Sequence, residues 1–334
     1  MLVSVICPIF NEKKFIAQFL DDIIRQDFSK KDWEVFLVDG MSDDGTRDVI
    51  EQYVNRCPYL FLIDNTKRTA PTALNHGIGL AKGDVIVRMD AHAHYPSNYV
   101  STLVSALVRL NADNVGAVCR TIPADNSSVS LVIAKAMSNR FGVGNSFFRI
   151  GSEIERKVDT VPFGCFRKDV FSRFGLFDEE MVRCQDNELN GRICLHQGSV
   201  FLIPSISFDY YARDSFAKLW KLFYQYGLYK PLVARKLGRP ATRRQLVPPL
   251  FVLVLIGGAV VGALNSLVGL FWMSFVILYV GTSYHFARKE QMTLFKTVGL
   301  MWAFFLMHIS YGVGYILGIG AQLLKCELPK SISR

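Results

Sequence analysis

Two long uncharged runs near the end of the chain constrain its fold more than any other feature. Residues 246–284 and residues 297–324 contain no Asp, Glu, Lys or Arg. As a single helix, the first run would be about 58 Å long, whereas the hydrocarbon core of a bilayer is about 30 Å thick. Two helices that turn near Asn265 and Ser266 fit better, and the alternative of a buried core helix would rarely stay uncharged for so long. We therefore predict an α-helical transmembrane region over residues 246–325 with about three helices.

The positive charge of the chain is concentrated before the first uncharged run. The formal net charge is +9, and residues 211–244 hold nine Lys or Arg against a single acid, Asp214. This excess predicts that the flank and the domain before it stay in the cytoplasm and contact anionic head groups. Seven cysteines without a CxxC pair fit the same reducing compartment. Three crossings would place Lys325, Lys330 and Arg334 outside, which the charge rule disfavours, so the number of spans stays open.

The segment before the first run combines aromatic and basic side chains. Residues 215–237 mix Trp and Tyr with Lys and Arg, a composition typical of a helix that lies in the membrane interface. We expect basic, aromatic interfacial helices over residues 211–245. The alternative is a helix packed on the soluble domain.

The first hundred residues alternate between strand and helix patterns. Strands separated by single helices imply an α/β domain with a mostly parallel, Rossmann-like sheet, which we predict over residues 1–210. Ligands of such sheets bind beyond the carboxyl ends of the strands, and Glu12, Asp39 and Asp90 all lie at predicted ends. No glycine-rich phosphate loop follows the first strand, which excludes a dinucleotide-binding dehydrogenase. Strands are predicted at residues 2–7, 33–38, 59–63 and 84–89, and helices at residues 12–26, from 46, and at 71–81.

Several short motifs occur in a specific order. They are PIFNE at residues 8–12, VDG at 38–40, KGD at 82–84, MDAHAHY at 89–95, FGCFR at 163–167 and QDNEL at 185–189. Over roughly residues 1–230 this series resembles family-2 glycosyltransferases. The block at 89–95 is similar to the branch that elongates succinoglycan and related exopolysaccharides and carries C-terminal membrane helices. The resemblance implies a GT-A fold and an inverting hexosyltransferase that uses a nucleotide-diphosphate sugar.

The resemblance also implies a nucleotide site at the first strand ends. Asp39 would read the uracil ring, with Glu12 near the ribose; the alternative for Asp39 is a turn or helix-cap aspartate. Arg68 would offset phosphate charge and Asn75 would hydrogen-bond around the nucleotide, although either residue would also suit a solvated surface. The full set of predicted nucleotide-sugar contacts is Pro8, Phe10, Asn11, Glu12, Asp39, Arg68, Asn75, Arg88, Asp90, Gln185 and Arg213.

Asp90 stands where such enzymes place a DxD metal motif. A diphosphate leaving group needs charge neutralisation, which Mg²⁺ or Mn²⁺ supplies as a Lewis acid. The third residue of the motif is His92, and imidazole suits Mn²⁺ better than Mg²⁺. We predict a divalent metal held by Asp90 and His92, with His94 on the same side of the strand. In the alternative, the histidines hydrogen-bond the sugar.

Inversion is a direct displacement, so one base must deprotonate the acceptor hydroxyl. Asp186 occupies the usual base position of this family, with Gln185 where Glu is more common. The alternative for Asp186 is a carboxylate at a helix N-terminus. The QxxRW motif of processive relatives is missing from the sequence, which favours the addition of one sugar per encounter.

These patterns together predict a membrane-bound enzyme of glycan biosynthesis. It would move a hexose, glucose first, from a UDP-sugar to a polyprenyl-diphosphate-linked saccharide in exopolysaccharide or capsule synthesis. It would lie in the bacterial cytoplasmic (inner) membrane with its catalytic domain facing the cytoplasm and with no nucleic acid partner. The alternatives are a polyprenyl-phosphate sugar synthase and a non-catalytic nucleotide-sugar-binding scaffold. The apolar segment 129–150 favours a saccharide acceptor over the synthase.

Overall fold

The computed structural model describes residues 1–240 and 242–328, so Lys330 and Arg334 lie outside the described residues. The chain divides into two compact units. The first unit contains residues 1–120 and 151–210. The second contains residues 121–150 together with the described residues between 211 and 328.

Four parallel strands form one half of the sheet in the first unit. Their strand order is β3-β2-β1-β4. In register, Ile9 pairs with Asp39 and Asp39 pairs with Asp64, so three carboxyl ends stand level. The elements are β1 (Val3–Ile9), α1 (Ile16–Ile24), β2 (Trp33–Asp39), α2 (Thr46–Val54), β3 (Leu60–Asp64), α3 (Ala70–Leu80) and β4 (Val85–Arg88).

These elements match the predicted ones except at the start of α1. The predicted helix began at Glu12, but α1 begins at Ile16. Residues 13–15 form a turn instead, in which the Glu12 carbonyl accepts from Phe15 N–H and from Ile16 N–H. Glu12 N–H donates to Thr46 Oγ1 and Lys13 N–H donates to Asp44 Oδ2, so both backbone groups are also tied to the segment after β2.

The core lies between this half-sheet and its helices. The β1 residues Val3, Val5 and Ile6 are completely buried, as continuous apolar strands covered on both faces require. Burial stabilises the fold by about 1.5–3 kcal/mol for each large aliphatic side chain. A Cβ at Gly77 would lie 2.5 Å from Ile6 Cγ2, so only glycine lets α3 approach β1 this closely.

The other half of the sheet is antiparallel, which makes the whole sheet mixed. The strand order continues β4-β8-β6-β9-β5, and β7 pairs with β9. The antiparallel partner β8 lies directly beside β4. The elements are β5 (Ala93–His94), α4 (Tyr99–Arg109), β6 (Asn114–Ile122), β7 (Arg156–Lys157), β8 (Cys165–Arg167), α8 (Val170–Phe174), α9 (Gln185–Leu195) and β9 (Val200–Tyr211).

The second unit is helical. Among the described residues, its last three helices are long and apolar enough to cross a membrane. The three predicted helices are therefore present, and the number that cross a membrane stays a prediction. The predicted break is at Asn265, whose Oδ1 caps the following helix by accepting from the N–H groups of Leu267 and Val268. The helices are α5 (Ser128–Ser138), α6 (Arg140–Val143), α7 (Phe147–Ile150), α10 (Phe216–Lys236), α11 (Val247–Leu264), α12 (Ser266–Arg288) and α13 (Leu294–Leu323), with a 3₁₀ turn (Arg243–Leu246) before α11.

The predicted aromatic helix is α10, and it packs along α13 in the same unit. Glycines make the close approach possible. A Cβ at Gly227 would collide with the Tyr311 carbonyl, and a Cβ at Gly314 would collide with the Tyr224 carbonyl. Small residues at such positions are typical of helix contacts in membranes. One side of α10 is therefore occupied by α13, whereas its predicted orientation in the interface stays a prediction.

Candidate active site

The loops after β1 and β2 are joined by side-chain hydrogen bonds. Asn11 N–H donates to Ser42 Oγ at 2.8 Å. The Asn11 amide group donates to Asp43 Oδ1 at 2.9 Å and accepts from Asp43 N–H at 3.0 Å. Asn11 has a left-handed backbone with φ of 53°, a conformation that asparagine tolerates. The side chain predicted to contact the donor thus holds the two loops together.

Asp39 is fully buried at the end of β2. Its carboxylate accepts from Ser42 N–H at 2.9 Å, from Ser42 Oγ at 2.5 Å and from Arg47 Nη1 at 2.8 Å. Arg47 also reaches Asp64 at 2.9 Å, and the hydrogen bond to Asp39 raises the pKa of its guanidinium. A buried carboxylate needs such a partner. The structure thus contains the turn-capping interactions of the alternative reading, and the predicted uracil contact stays a prediction.

Asp90 and Asp186 are joined by Arg88. The Arg88 guanidinium forms a two-pronged bond to Asp90, with Nε–Oδ1 at 2.8 Å and Nη2–Oδ2 at 2.9 Å. Its Nη1 lies 2.7 Å from Asp186 Oδ1. The Arg88 side chain is 4% exposed, and its Cζ lies 5.2 Å from the centre of the Phe163 ring. Two carboxylates distant in sequence, one from the end of β4 and one from the first turn of α9, therefore share one buried cation.

Burial changes the proton affinity of this cluster. Burial raises the pKa of the Asp186 carboxyl by more than the Arg88 charge lowers it, and the charge of Asp90 raises it further. Burial opposes the charge on Arg88, but the two carboxylates outweigh it and raise the pKa of the guanidinium. A carboxyl group with a raised pKa is suited to general base catalysis nearer neutral pH.

The two predicted metal-site histidines contact different carboxylates. His92 Nδ1 lies 3.1 Å from Glu12 Oε1, whereas His94 Nδ1 lies 2.7 Å from Asp22 Oδ2 on α1. The Asp22 carboxylate also accepts from Tyr95 N–H. His94 is thus engaged with α1, and its place on the same side as His92 stays a prediction.

The donor set at Asp90 and His92 fits a metal that arrives with a diphosphate. Within residues 1–240 and 242–328, no three His, Cys, Asp or Glu side chains form a metal cluster. Such a cluster is not required, because Mg²⁺ bound to nucleotides uses one or two carboxylates plus phosphate oxygens. Glu12 behind His92 is also the arrangement that orients metal-binding histidines.

Asn75 has a clear structural partner. Its Nδ2 donates to the Phe177 carbonyl at 2.8 Å, and its Oδ1 accepts from Phe177 N–H at 3.0 Å. Both ends of the amide are bound to one backbone segment. This pairing favours a loop-holding role over the predicted nucleotide contact.

The remaining predicted contacts differ in position. Pro8 lies within β1, and Phe10 at its end is 44% exposed. A Cβ at Gly40 would lie 3.1 Å from Phe10 Cδ2 and 3.4 Å from the Arg68 Cα, so these three residues are neighbours. Gln185 begins α9. Arg213 belongs to the second unit, and its phosphate contact stays a prediction.

Arg47 and the joining role of Arg88 were not predicted from the sequence. The first turn of α2 carries Arg47 soon after Asp39, which is the one signal that could have identified it. For Arg88, a basic residue inside an otherwise apolar strand pattern (Val85–Arg88) was such a signal, because a buried arginine requires acidic partners.

Comparison with known proteins gives a consistent result. The family model described as glycosyl transferase family 2 matches residues 4–174. Dolichyl N-acetyl-alpha-D-glucosaminyl phosphate 3-beta-D-2,3-diacetamido-2,3-dideoxy-beta-D-glucuronosyltransferase of Methanococcus voltae is 29% identical over 242 residues, which cover 70% of this chain and 74% of that protein. Succinoglycan biosynthesis protein ExoA of Rhizobium meliloti is 28% identical over 279 residues, which cover 81% of this chain and 80% of that protein.

Solved structures share the fold. The mannosyltransferase PcManGT from Pyrobaculum calidifontis, solved with GDP-mannose and Mn²⁺, has a TM-score of 0.62 and 18% identity, covering 94% of this chain and 86% of that chain. Residues 1–349 of S. aureus TarS with UDP give a TM-score of 0.53 and 15% identity, covering 97% of this chain and 92% of that chain. At such identities the likeness concerns the fold alone, and it confirms the predicted GT-A architecture.

Proposed function

Because the chain belongs to glycosyl transferase family 2, we propose that it moves a hexose from a UDP-sugar to a polyprenyl-diphosphate-linked saccharide with inversion. The two relatives support this acceptor class. One is named for transfer to a dolichyl phosphate-linked sugar and the other for succinoglycan biosynthesis. The three apolar C-terminal helices support a membrane-bound substrate.

One observation carries the proposal: Asp90 and Asp186 meet at Arg88 beside the carboxyl end of β4. In a sheet of this type, substrates bind at that end. We assign Asp90 to the donor side and Asp186 to the acceptor side. Asp186 removes the proton of the acceptor hydroxyl while the hydroxyl oxygen forms a bond to the anomeric carbon. The bond from that carbon to the diphosphate breaks on the opposite face, and UDP leaves with the bonding electron pair.

The nucleotide would lie against the ends of β1 and β2. The backbone at Pro8 and the exposed Phe10 ring would form the pocket floor, and Arg68 would face the phosphates. Asp39 lies at the same strand ends and would accept from the uracil N–H, for which Arg47 would have to uncover the buried carboxylate.

A divalent metal would be held by Asp90 and His92. When bound, it would neutralise charge on the diphosphate leaving group. Glu12 holds the His92 imidazole by Nδ1 and so fixes which ring nitrogen faces the donor. This arrangement supports a preference for Mn²⁺, since imidazole is a better ligand for Mn²⁺ than for Mg²⁺.

We further propose a bacterial cytoplasmic membrane location with residues 1–210 facing the cytoplasm. The basic segment 211–245 would contact anionic head groups and serve as the interfacial region between the catalytic domain and the helices of residues 246–325. The nine cations and single acid of residues 211–244 support this orientation.

The test is nucleotide release by the purified full-length protein in detergent. A panel of nucleotide sugars is offered with Mn²⁺ or Mg²⁺, with and without a crude lipid-linked oligosaccharide extract. The variants are Asp186→Asn and, as a matched control, Asp169→Asn, whose carboxylate forms an exposed ion pair. Release of UDP that needs metal, extract and Asp186 supports the proposal.

Two other outcomes contradict the proposal. Release that needs only polyprenyl phosphate would identify a lipid-phosphate sugar synthase. Nucleotide binding without turnover, in an extract that supports another transferase, would identify a scaffold. Equal loss of UDP release in Asp186→Asn and Asp169→Asn would contradict the assignment of Asp186 as the base, because the proposal gives Asp169 no contact with the acceptor hydroxyl.

A further inference from the structure

We infer that Arg88 is a positioning residue that holds the base Asp186 in a fixed relation to the donor-side Asp90, and that it does not itself bind the donor. The inference rests on the proposed function, because it takes Asp186 as the base. It replaces the sequence-based expectation that Arg88 contacts the nucleotide sugar.

All three guanidinium nitrogens of Arg88 are bound to carboxylates. Nε and Nη2 donate to the two oxygens of Asp90, and Nη1 donates to Asp186. The Phe163 ring lies next to the guanidinium carbon, and the side chain is almost fully buried. Three of the five guanidinium N–H groups are thus engaged in charge-assisted bonds, which are among the strongest in proteins. The near-complete burial of the side chain leaves the other two little access to a diphosphate.

The charge balance also disfavours a role in anion binding. Arg88 carries one positive charge, and Asp90 and Asp186 together carry two negative charges when ionised, so the formal sum of the cluster is −1. A diphosphate would gain little electrostatic attraction from a cation whose charge is already exceeded by that of two carboxylates. A metal ion or a sugar hydroxyl, in contrast, is compatible with an acidic cluster.

The geometry of the base depends on this cation. Asp186 stands in the first turn of α9, two residues after Cys184, which has a left-handed backbone with φ of 63°. Its Oδ1 is held at 2.7 Å by Arg88, whose other edge is locked to Asp90. A planar fork can satisfy both carboxylates at once, whereas the point charge of lysine cannot. Arg88 thus fixes the position of Asp186 relative to the donor-side carboxylate of Asp90.

The test compares Arg88→Lys and Arg88→Gln with Arg109→Lys, whose exposed pair with Glu155 serves as the matched control. The full-length protein in detergent is used with the UDP-sugar and lipid-linked extract that gave release. We expect Arg88→Lys to lower kcat by about 100-fold, the effect typical of a misplaced catalytic group. UDP affinity measured by calorimetry and the donor KM should stay within about threefold of wild type, since Arg88 makes no donor contact.

Thermal melts identify any variant that fails to fold, and Arg88→Lys retains the buried charge so that the test does not depend on Arg88→Gln. A fall in UDP affinity parallel to the fall in kcat would overturn the inference and make Arg88 a donor ligand. Wild-type kcat in Arg88→Lys would also overturn it. Failure of the proposed function is seen separately, as full activity in Asp186→Asn.

Discussion

At the residue scale, single side chains are expected to affect activity most in the cluster of Asp90, Arg88 and Asp186. The two carboxylates share a cation but have different surroundings, since Asp90 is buried and the Asp186 side chain is 20% exposed. A partly exposed base has access to an acceptor, and a buried carboxylate beside it fixes its orientation. Division of roles between two carboxyl groups by their environments is a general device in glycosyl chemistry.

The raised pKa of Asp186 predicts a pH dependence. The base works only when deprotonated, so activity is present above its pKa and is lost as the pH falls through that value. Because burial raises the pKa of Asp186, we expect the acid limb of kcat/KM to lie above the ordinary aspartate pKa of about 3.9. The measurement is the pH profile of UDP release. An acid limb at or below the ordinary value would show that a different group is the base.

His92 offers a test of the metal proposal. We expect His92→Asp to keep most of the activity and to shift the preference from Mn²⁺ towards Mg²⁺, because carboxylate suits Mg²⁺ better than imidazole does. His92→Ala should weaken Mn²⁺ binding in the presence of UDP by about 10–100-fold, as measured by electron paramagnetic resonance. Loss of activity in His92→Asp with unchanged Mn²⁺ binding would favour the alternative in which His92 hydrogen-bonds the sugar.

The candidate site residues could be chosen from the sequence, but their hydrogen-bond partners could not. The order of Asp39, Asp90 and Asp186 along the chain was enough to identify the candidate site, since each motif is local. Arg47 and the pairing of Glu12 with His92 depend on which loops the fold brings together. Those partners are tertiary, so no periodicity in the sequence indicates them.

At the scale of elements, periodicity predicted which segments are strands and which are helices. It did not predict whether neighbouring strands pair in parallel or antiparallel. β1 to β4 are linked by single helices, and such connections produce parallel pairing. β8 and β9 return after longer and irregular segments, and the connection alone leaves their direction open. The antiparallel half of the sheet therefore became visible only in the structure.

The contact between α10 and α13 gives a prediction at this scale. Gly227→Ala should destabilise the protein by about 1–3 kcal/mol, because the added methyl group collides with the Tyr311 carbonyl. The measurement is the thermal melt in detergent.

The matched control is Gly320→Ala on α13, where an added Cβ would meet no atom within 4 Å. Alanine has the higher helix propensity, so this change should be neutral or stabilising by up to about 1 kcal/mol. Equal effects of the two substitutions would show that the close approach of α10 and α13 does not contribute to stability.

At the scale of the whole molecule, the grouping of residues 121–150 was not predictable. The predicted domain of residues 1–210 includes this segment, and its apolar part, residues 129–150, was expected to favour a saccharide acceptor. In the structure it groups with the C-terminal helices. Within that unit, Lys135 and Asn139 both bind Glu290, and Phe141 packs against Phe286 and Phe304. Contacts between residues so far apart in the chain cannot be predicted from local sequence patterns.

The three apolar helices predict a topology with the N-terminal domain inside and the C-terminus outside. An alkaline phosphatase fused to the C-terminus should therefore be active in a bacterial host, because that enzyme folds only outside the cytoplasm. The matched fusion after Lys289, between α12 and α13, should be inactive. Inactivity of both fusions would contradict three crossings and would agree instead with the positive charge of Lys325. An active fusion after Lys289 with an inactive C-terminal fusion would place the N-terminal domain outside.

The most direct test of the proposed function is mass spectrometry of the lipid product after reaction with the UDP-sugar. We predict that the lipid-linked saccharide gains a single hexose in a linkage of inverted anomeric configuration, and that this product is absent with Asp186→Asn. A hexose attached to polyprenyl phosphate itself, or a retained anomeric configuration, would contradict the account.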